Sequence, residues 1–424
     1  MRIAVVGAGV AGLSSAYRLA QAGMDVTLYE GGSWFGGHSN TVDVTLDGHT
    51  HGVDTGFLVF NHQTYPNLIR LFDELKVETA ASDMSFSVKM PIGGRTLEWA
   101  GANMDTVFAQ RSNLLRPQFY GMLRDIMRFN REAVPLAISG AAPAISLGDY
   151  LDRGNYGRAF RDWYLLPMAA CIWSCPTQQM LEFPLLTFVR FCHNHGLLQV
   201  SDRPQWHTVK GGSRRYVERL LAGIQQRRLN TPVLSVRRAG GQVALRTAHG
   251  TQYYDHVVMA AHSDQSLAML EDPSAQESAL LGAIRYQRNR AVLHTDSSCL
   301  PQRRKAWSAW NYQGVQDAQG TPQVCVHYLI NMLQPLPFTT PVLVSLNPVQ
   351  EPAQDKVLAE FDYAHPVFDG AAIAAQGQLG ALQGQRNTWF AGAWTGYGFH
   401  EDGLKSGLSV AAALAQKALL HYAA

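Results

Sequence analysis

Charge is scarce in this sequence. Asp, Glu, Lys and Arg make up 16% of 424 residues, and the formal net charge is only +2. That balance offers no electrostatic footprint for a polyanion, so a nucleic-acid partner is not expected. Cysteine is sparse too: five residues, an odd number, at irregular spacings. This argues against a disulfide-stapled secreted scaffold and suits a reducing compartment. No basic region with an apolar stretch precedes the first strand-like run at Arg2, so no signal peptide is expected. No apolar run reaches membrane-spanning length; the stretch Gly407–Ala424 is broken by Gln416, Lys417 and His421. Internal repeats and low-complexity tracts are also missing. The expectation is a cytoplasmic protein without a transmembrane segment, with peripheral membrane contact left open.

Apolar residues and glycine are plentiful. Hydrophobic residues reach 46%, ample for the cores of two or three domains. The 38 glycines gather in a few loops. The first follows Arg2-Ile3-Ala4-Val5-Val6, an apolar run with the length of a strand. It reads Gly7-Ala8-Gly9-Val10-Ala11-Gly12, a GxGxxG motif. Helical spacing then runs to Ala22, where Gly23 stops it, and Val26–Tyr29 forms a second β-prone run ending at Glu30. Such a βαβ opening binds dinucleotides for physical reasons. Gly7 permits the tight turn, Gly9 lets a pyrophosphate approach the backbone, and Gly12 lets the helix pack on the strand. The helix N-terminus offers free N–H groups, and Glu30 stands where a carboxylate accepts from ribose hydroxyls.

Further along, the pattern turns helical from Pro66 to about Leu198, then returns to β near Pro232–Arg238, Gln242–Thr247 and His256–Ala261. Antiparallel strands are expected to follow at Ala291–Thr295, Ala306–Tyr312, Val324–Asn331 and Val342–Asn347. The chain closes with an apolar strand at Thr388–Phe390, a glycine-rich loop and a last helix. The fold class expected is α/β: a Rossmann-like domain from residues 1–60, 200–285 and 385–424, interleaved with an α+β domain from 61–199 and 286–384.

Four glycine-bearing segments carry a family resemblance: Gly7–Gly12, Gly36-Gly37, Asp54-Thr55-Gly56 and Phe390-Ala391-Gly392. In this combination the chain resembles the flavin-containing amine oxidase superfamily, which includes protoporphyrinogen oxidases and phytoene desaturases. More narrowly it is similar to bacterial predicted NAD/FAD-binding proteins associated with cyclopropane fatty acid synthase genes, and to the N-terminal part of plant cyclopropane synthases. The resemblance implies noncovalent FAD. The segments implied to hold it are Gly7, Gly9, Val10, Ala11 and Gly12; Glu30 and Gly31; Gly36, Gly37 and His38; Thr55, Gly56 and Phe57. Val233, Gly392, Ala393, and the helix start at Gly403 and Leu404 complete the implied set. Two positions depart from the family pattern. His38 stands where arginine is usual, and Ala393 and Trp394 follow Phe390-Ala391-Gly392 where glutamate is usual. With no second GxGxxG for a nicotinamide cofactor, the expected oxidant is oxygen, a quinone or a protein.

The resemblance implies dehydrogenation of an apolar, fatty-acyl or lipid substrate, with hydride passing to flavin N5. A redox-neutral double-bond isomerase and a non-catalytic FAD-bound partner of a lipid-modifying enzyme remain as alternatives. Candidate catalytic residues are Tyr397, Phe399 and His400 in the dense segment 394–402, and Lys210 in a Lys-Gly-Gly-Ser loop. Glu401 and Asp402 read equally as caps of the following helix. Cys171, Cys175, Cys192, His193 and His195 lack zinc-site spacing and lie among apolar residues, so no metal is expected. Arg285, Arg288, Arg290, Arg303, Arg304 and Lys305 read as a solvated face, with an anionic surface as the sharper alternative.

Overall fold

The computed structural model describes every residue except 141, 142, 144, 174–176, 200–202, 317–321 and 424. Strand β1 (Arg2–Val6) lies at the centre of a five-stranded parallel sheet. Helix α1 (Val10–Gln21) crosses from it to β2 (Asp25–Tyr29). Strand β3 (Gln226–Arg228) extends the sheet beyond β2. On the other side of β1 come β4 (His256–Met259) and β5 (Thr388–Phe390). The spatial order β3-β2-β1-β4-β5 reverses between β1 and β4, and that switch opens a crevice at the carboxyl ends of both strands. Ile3 to Val6 and Val257 to Met259 are all buried, as a sheet covered on both faces requires.

Two helices cover one face of the sheet. The C-terminal helix His400–Ala423 packs along α1, and glycines make the close approach feasible. A Cβ at Gly403 would lie 2.8 Å from Val10 Cγ1, and one at Gly407 would run into the Ala11 carbonyl and Ser14 Oγ. The other face carries a three-stranded antiparallel sheet, Val233–Ala239, Gln242–Thr247 and Gly250–Tyr254. Arg238, buried beside it, donates to Glu277 at 2.6 Å and Asp272 at 2.9 Å, fixing the helix Ala275–Gly282.

A seven-stranded sheet forms the second layer system. Its order is 357–367, 285–294, 343–346, 322–329, 310–316, 86–92 and 95–100. This corrects the reading of residues 66–198 as helical throughout, because Thr79–Ser82, Phe86–Ile92 and Arg95–Ala100 are strands. The hairpin turns at Gly93-Gly94, both with positive φ, and Val88 and Leu97 are buried on its inner face. Its parallel pairing with Trp310–Gln316 joins segments more than 200 residues apart. Strand Val357–Val367, also absent from the sequence reading, forms the sheet's far edge. The anticipated strands near 291, 306, 324 and 342 are present with shifted ends. The basic stretch at 285–305 is largely paired: Arg285 with Asp369, Arg290 with Glu351 and Glu360, Arg303 with Glu98, Lys305 with Asp105. Those carboxylates remove the excess positive charge that an anionic surface would need.

A hydrogen-bond chain threads the interior of this sheet. The Asp296 N–H donates to His294 Nδ1 at 3.0 Å, so the proton of the neutral ring sits on Nε2. Nε2 donates to Ser345 Oγ at 2.6 Å, Ser345 to His327 Nδ1 at 2.6 Å, and His327 Nε2 to Gln313 at 2.7 Å. Cys299 Sγ lies within 4.8 Å of both rings, yet it donates to the Asp296 carbonyl, and each ring nitrogen already has a partner.

The helix contact at Gly407 gives a stability test. Gly407→Val should cost about 1–3 kcal/mol through overpacking and lower the urea midpoint accordingly. Gly380, where a Cβ meets nothing within 4 Å, supplies the control: Gly380→Ala should stay within about 0.5 kcal/mol of the parent. Equal midpoints for the two variants would contradict the packing described.

Candidate functional site

A cavity of about 980 Å³ runs from the carboxyl ends of the parallel sheet into the aromatic interior of the second layer system. Glycine loops form its first half. Gly7 has φ +100°, and a Cβ there would lie 2.8 Å from the Ala260 carbonyl. At Gly12 a Cβ would collide with the Gly7 carbonyl, whereas at Gly9 it would meet nothing within 4 Å. The turn therefore needs Gly7, helix packing needs Gly12, and Gly9 leaves space for a ligand. No side chain caps α1 and no acid lies in its first turn, so the positive end of the helix is unscreened.

Glu30 closes this loop from below. Its carboxylate accepts the Ala8 N–H at 2.8 Å and the Gly32 N–H at 2.7 Å, one on each oxygen. Each oxygen keeps a second lone pair. Gly31 lies on the same wall, as does Val233. The next loop leans on the first: the Gly36 N–H donates to the Ala8 carbonyl at 2.8 Å, and a Cβ on Gly37 would lie 3.1 Å from Gly9 Cα. His38 follows, stacked 4.7 Å from Tyr363 and 5.2 Å from His365. Its Nε2 is buried and has no hydrogen-bond partner among the described residues.

The third wall comes from Thr55-Gly56-Phe57 and from Gly392 to His400. The Phe57 N–H donates to the His38 carbonyl at 2.7 Å, and its ring stacks on His400 at 3.8 Å. His400 Nε2 lies 2.8 Å from Tyr216 OH, itself 2.5 Å from Ser39 Oγ. The Gly392 N–H donates to Ser406 Oγ at 2.9 Å.

Known proteins divide into sequence relatives and likenesses of fold. A probable flavin-containing monoamine oxidase A of Dictyostelium discoideum is 24% identical over 274 residues, 61% of this chain and 56% of that protein. A carotenoid phi-ring synthase of Streptomyces griseus is 28% identical over 283 residues, 62% of this chain and 52% of that protein. The chain thus spans about half the length of these curated relatives. Two solved structures share the fold. Putrescine oxidase has a TM-score of 0.70 at 16% identity, covering 98% of this chain and 99% of that one. A CLA-producing fatty acid isomerase from P. acnes has a TM-score of 0.68 at 14% identity, covering 97% and 98%. The sequence profile of flavin-containing amine oxidoreductases matches residues 10–294, about two thirds of the chain.

The chain belongs to the flavin-containing amine oxidoreductase family.

FAD is the cofactor. The glycine half of the cavity fits it, with open space at Gly9, an uncapped helix end, and the buried unpartnered nitrogen of His38.

The structure gathers most of the residues singled out from the sequence. Gly7, Gly9, Val10, Ala11, Glu30, Gly31, Gly36, Gly37, His38, Thr55, Gly56, Phe57, Val233, Gly392, Ala393, Tyr397, Phe399 and His400 all line one cavity. Several others lie elsewhere. Lys210 is exposed, 3.5 Å from Glu78 and outside the cavity wall, because its loop turns outward at Gly211. Gly403 and Leu404 are not the helix start. The helix begins at His400, and the Gly403 N–H is bonded to the Phe399 carbonyl, so it cannot serve a ligand. Asp54, which the resemblance placed among the FAD-holding segment, points away from the cavity. It accepts from Thr41, from the Ser213 N–H and Oγ, and from Gln334.

In the segment 399–402 Asp402 caps the following helix as expected, and Glu401 is the one correction. Asp402 accepts the Phe399 N–H at 3.0 Å and so braces its own helix start. Glu401 instead caps a different helix, Pro66–Leu75, accepting the N–H groups of Asn67 and Leu68 at 2.8 and 3.0 Å. Burial pushes the His400 imidazole down to about 3, so the ring is neutral at physiological pH and is no proton donor there.

The sequence reading passed over Tyr363 and His365, which flank His38, and Tyr216. Strict alternation in Phe361, Tyr363 and His365 was the available signal for the first two. Of the cysteine–histidine group, Cys171 and His195 line the cavity, Cys192 is buried apart from it, and Cys175 lies outside the described residues.

The buried histidines set an acid limit on stability. Burial holds His195 and His365 at about 4, His294 at about 4, His327 and His400 at about 3, and His38 well below the usual imidazole range. Each binds its proton only on unfolding once the pH drops below about 6.5, so the stability is present above that pH and lost toward 3–4. Asp54 and Asp402, raised by burial to about 6, act in the opposite sense with Glu401 and Asp162, but His207, His256 and His262 add to the histidines and keep them in the majority. The thermal midpoint should therefore fall by on the order of 10 °C between pH 7 and pH 5. A midpoint unchanged over that range would show that these rings are hydrated.

Proposed function

We propose that this chain is an FAD-dependent oxidoreductase that dehydrogenates an apolar, fatty-acyl or lipid, substrate. The observation that carries this reading is the second half of the cavity. Phe86, Trp99, Met168, Ile172, Trp173, Phe191, Leu197, Trp206 and Trp310 line it. Among the described residues, the only carboxylate on the whole wall is Glu30, at the glycine end. A cationic amine would find no counter-charge in the aromatic half, whereas a hydrocarbon chain would lose little by leaving water there.

The roles of the chain's residues follow from their positions. The Gly7–Gly9 turn and the N-terminus of α1 hold the cofactor's diphosphate, Glu30 its ribose and Val233 its adenine. The division of the chain at residues 60, 200, 285 and 385 into cofactor and substrate domains belongs to the same proposal. Bound FAD supplies a two-electron acceptor, with hydride received at N5. Phe57, Tyr397 and Phe399 stand between the two halves and keep water from the junction. Phe399 stacks 4.8 Å from Phe191 and lies 5.6 Å from His195. His195 Nδ1 donates to the Phe191 carbonyl at 3.0 Å, which leaves Nε2 as an unprotonated acceptor on this wall. It is the receiver we assign to the proton lost with the hydride. Oxygen, a quinone or a protein completes the cycle as oxidant.

Anaerobic mixing tests the reading. Long-chain unsaturated fatty acids should bleach the flavin's visible absorbance, while primary amines leave it unchanged. Bleaching by amines alone would overturn the substrate class. A rearranged lipid without net bleaching would make the protein an isomerase, and no turnover at all would leave only the non-catalytic reading.

A further inference from the structure

Among the described residues, twelve large hydrophobic side chains are exposed, and half of them fall between positions 104 and 138: Met104, Leu114, Leu115, Tyr120, Met127 and Ile138. Three of the six, Tyr120, Met127 and Ile138, lie on one helix, Pro117–Ser139, which presents an apolar outer face, and Met104, Leu114 and Leu115 lie in the segment just before it. Tyr120, Arg124, Met127, Arg131 and Ile138 follow one another at steps of three, four or seven and so share a side. Their exposures are high: 47% for Tyr120, 58% for Met127 and 70% for Ile138, with Leu115 at 87% just before the helix. The opposite side, Phe119, Met122, Phe129, Ala133 and Ala137, is buried. Part of it packs in one cluster with Met168 and Trp173, which line the cavity.

Along the stripe from Tyr120 to Ile138 the only charges are Arg124 and Arg131, and the exposed Glu132 lies beside it. Asp105 is tied to Arg111 and Lys305. Asp125 is buried and accepts the Gly157 N–H at 2.9 Å, and Glu132 accepts from Tyr156 at 2.6 Å. Arg131 is in no ion pair among the described residues. The Arg124 side chain is 81% exposed and only 3.8 Å from the buried Asp125 at its nearest.

We infer that this helix face docks on an anionic lipid bilayer, its apolar side chains entering the interface while Arg124 and Arg131 meet lipid phosphates. Apolar groups alternating with arginines along an outward helix suit an interface that is oily below and negative above. A second copy of the chain fits worse. A two-fold contact would set this face against itself and bring its two arginines against their copies, with Glu132 the one exposed acid of the helix nearby. The proposal does not depend on the identity of the substrate.

Co-sedimentation of the FAD-loaded protein with vesicles tests it. Vesicles with about a third phosphatidylglycerol in phosphatidylcholine should pellet the protein at least about 10-fold better than phosphatidylcholine alone, and added salt should weaken the effect. Two double variants, Arg124→Glu with Arg131→Glu and Met127→Ser with Ile138→Ser, should each lose about 10-fold in binding with flavin content and thermal midpoint unchanged. If the apolar variant fails to fold, the charge variant alone decides. No preference for anionic vesicles, or binding that survives both variants, would overturn the inference. A dimer dissolved by the Met127→Ser and Ile138→Ser changes would assign the face to a second copy and overturn it as well.

Discussion

Close approach of backbone to backbone at the carboxyl end of β1 is the constraint on which the site depends. Gly7 turns against Ala260, Gly37 lies on Gly9, and Gly12 packs under the Gly7 carbonyl. Three loops from distant parts of the chain meet there with no side chain between them. The resulting hollow presents N–H groups rather than side chains, which suits a diphosphate. A single Cβ at Gly7 or Gly12 would separate elements that must touch. Side chains then adjust the hollow: Glu30 holds the turn through two N–H groups, and Ser406 reaches from the C-terminal helix to the Gly392 N–H.

The rest of the site is arranged to stay neutral. His38, His365 and His400 are half-buried against the cavity and held uncharged by desolvation, and the aromatic half of the cavity carries no carboxylate among the described residues. Where the family resemblance implies an arginine, His38 offers one unpartnered ring nitrogen instead. The cofactor half is thus built from backbone dipoles and neutral donors, and the substrate half from rings. Exposed arginines stand on the outer face of the helix whose inner face closes the cavity, whereas the buried Arg238 is paired with Glu277 and Asp272.

Much of this was legible in the sequence. The α/β class, the family and its flavin follow from glycine spacing, because a glycine at a close contact is readable without knowing its partner. What was not legible depended on distance. Residues 79–92 read as part of a helical region because Thr79–Ser82 and Phe86–Ile92 pair with strands beyond residue 205, and local periodicity carries no trace of such partners. The turn at Gly93-Gly94 was the missed local signal. Lys210 was attractive by its neighbours in sequence, yet its loop faces solvent. Glu401 was read as a cap for the helix that contains it, whereas it caps one more than 300 residues earlier. The helix start assigned to Gly403 was three residues late, since the helix already begins at His400, directly after the bend at Gly398 and Phe399.

The central claim is that converging glycine loops hold FAD without a covalent bond. Acid precipitation of the purified protein measures this directly. The account predicts close to one equivalent of FAD in the supernatant and a colourless pellet. Flavin retained in the pellet, or a supernatant containing FMN or no flavin, would contradict it.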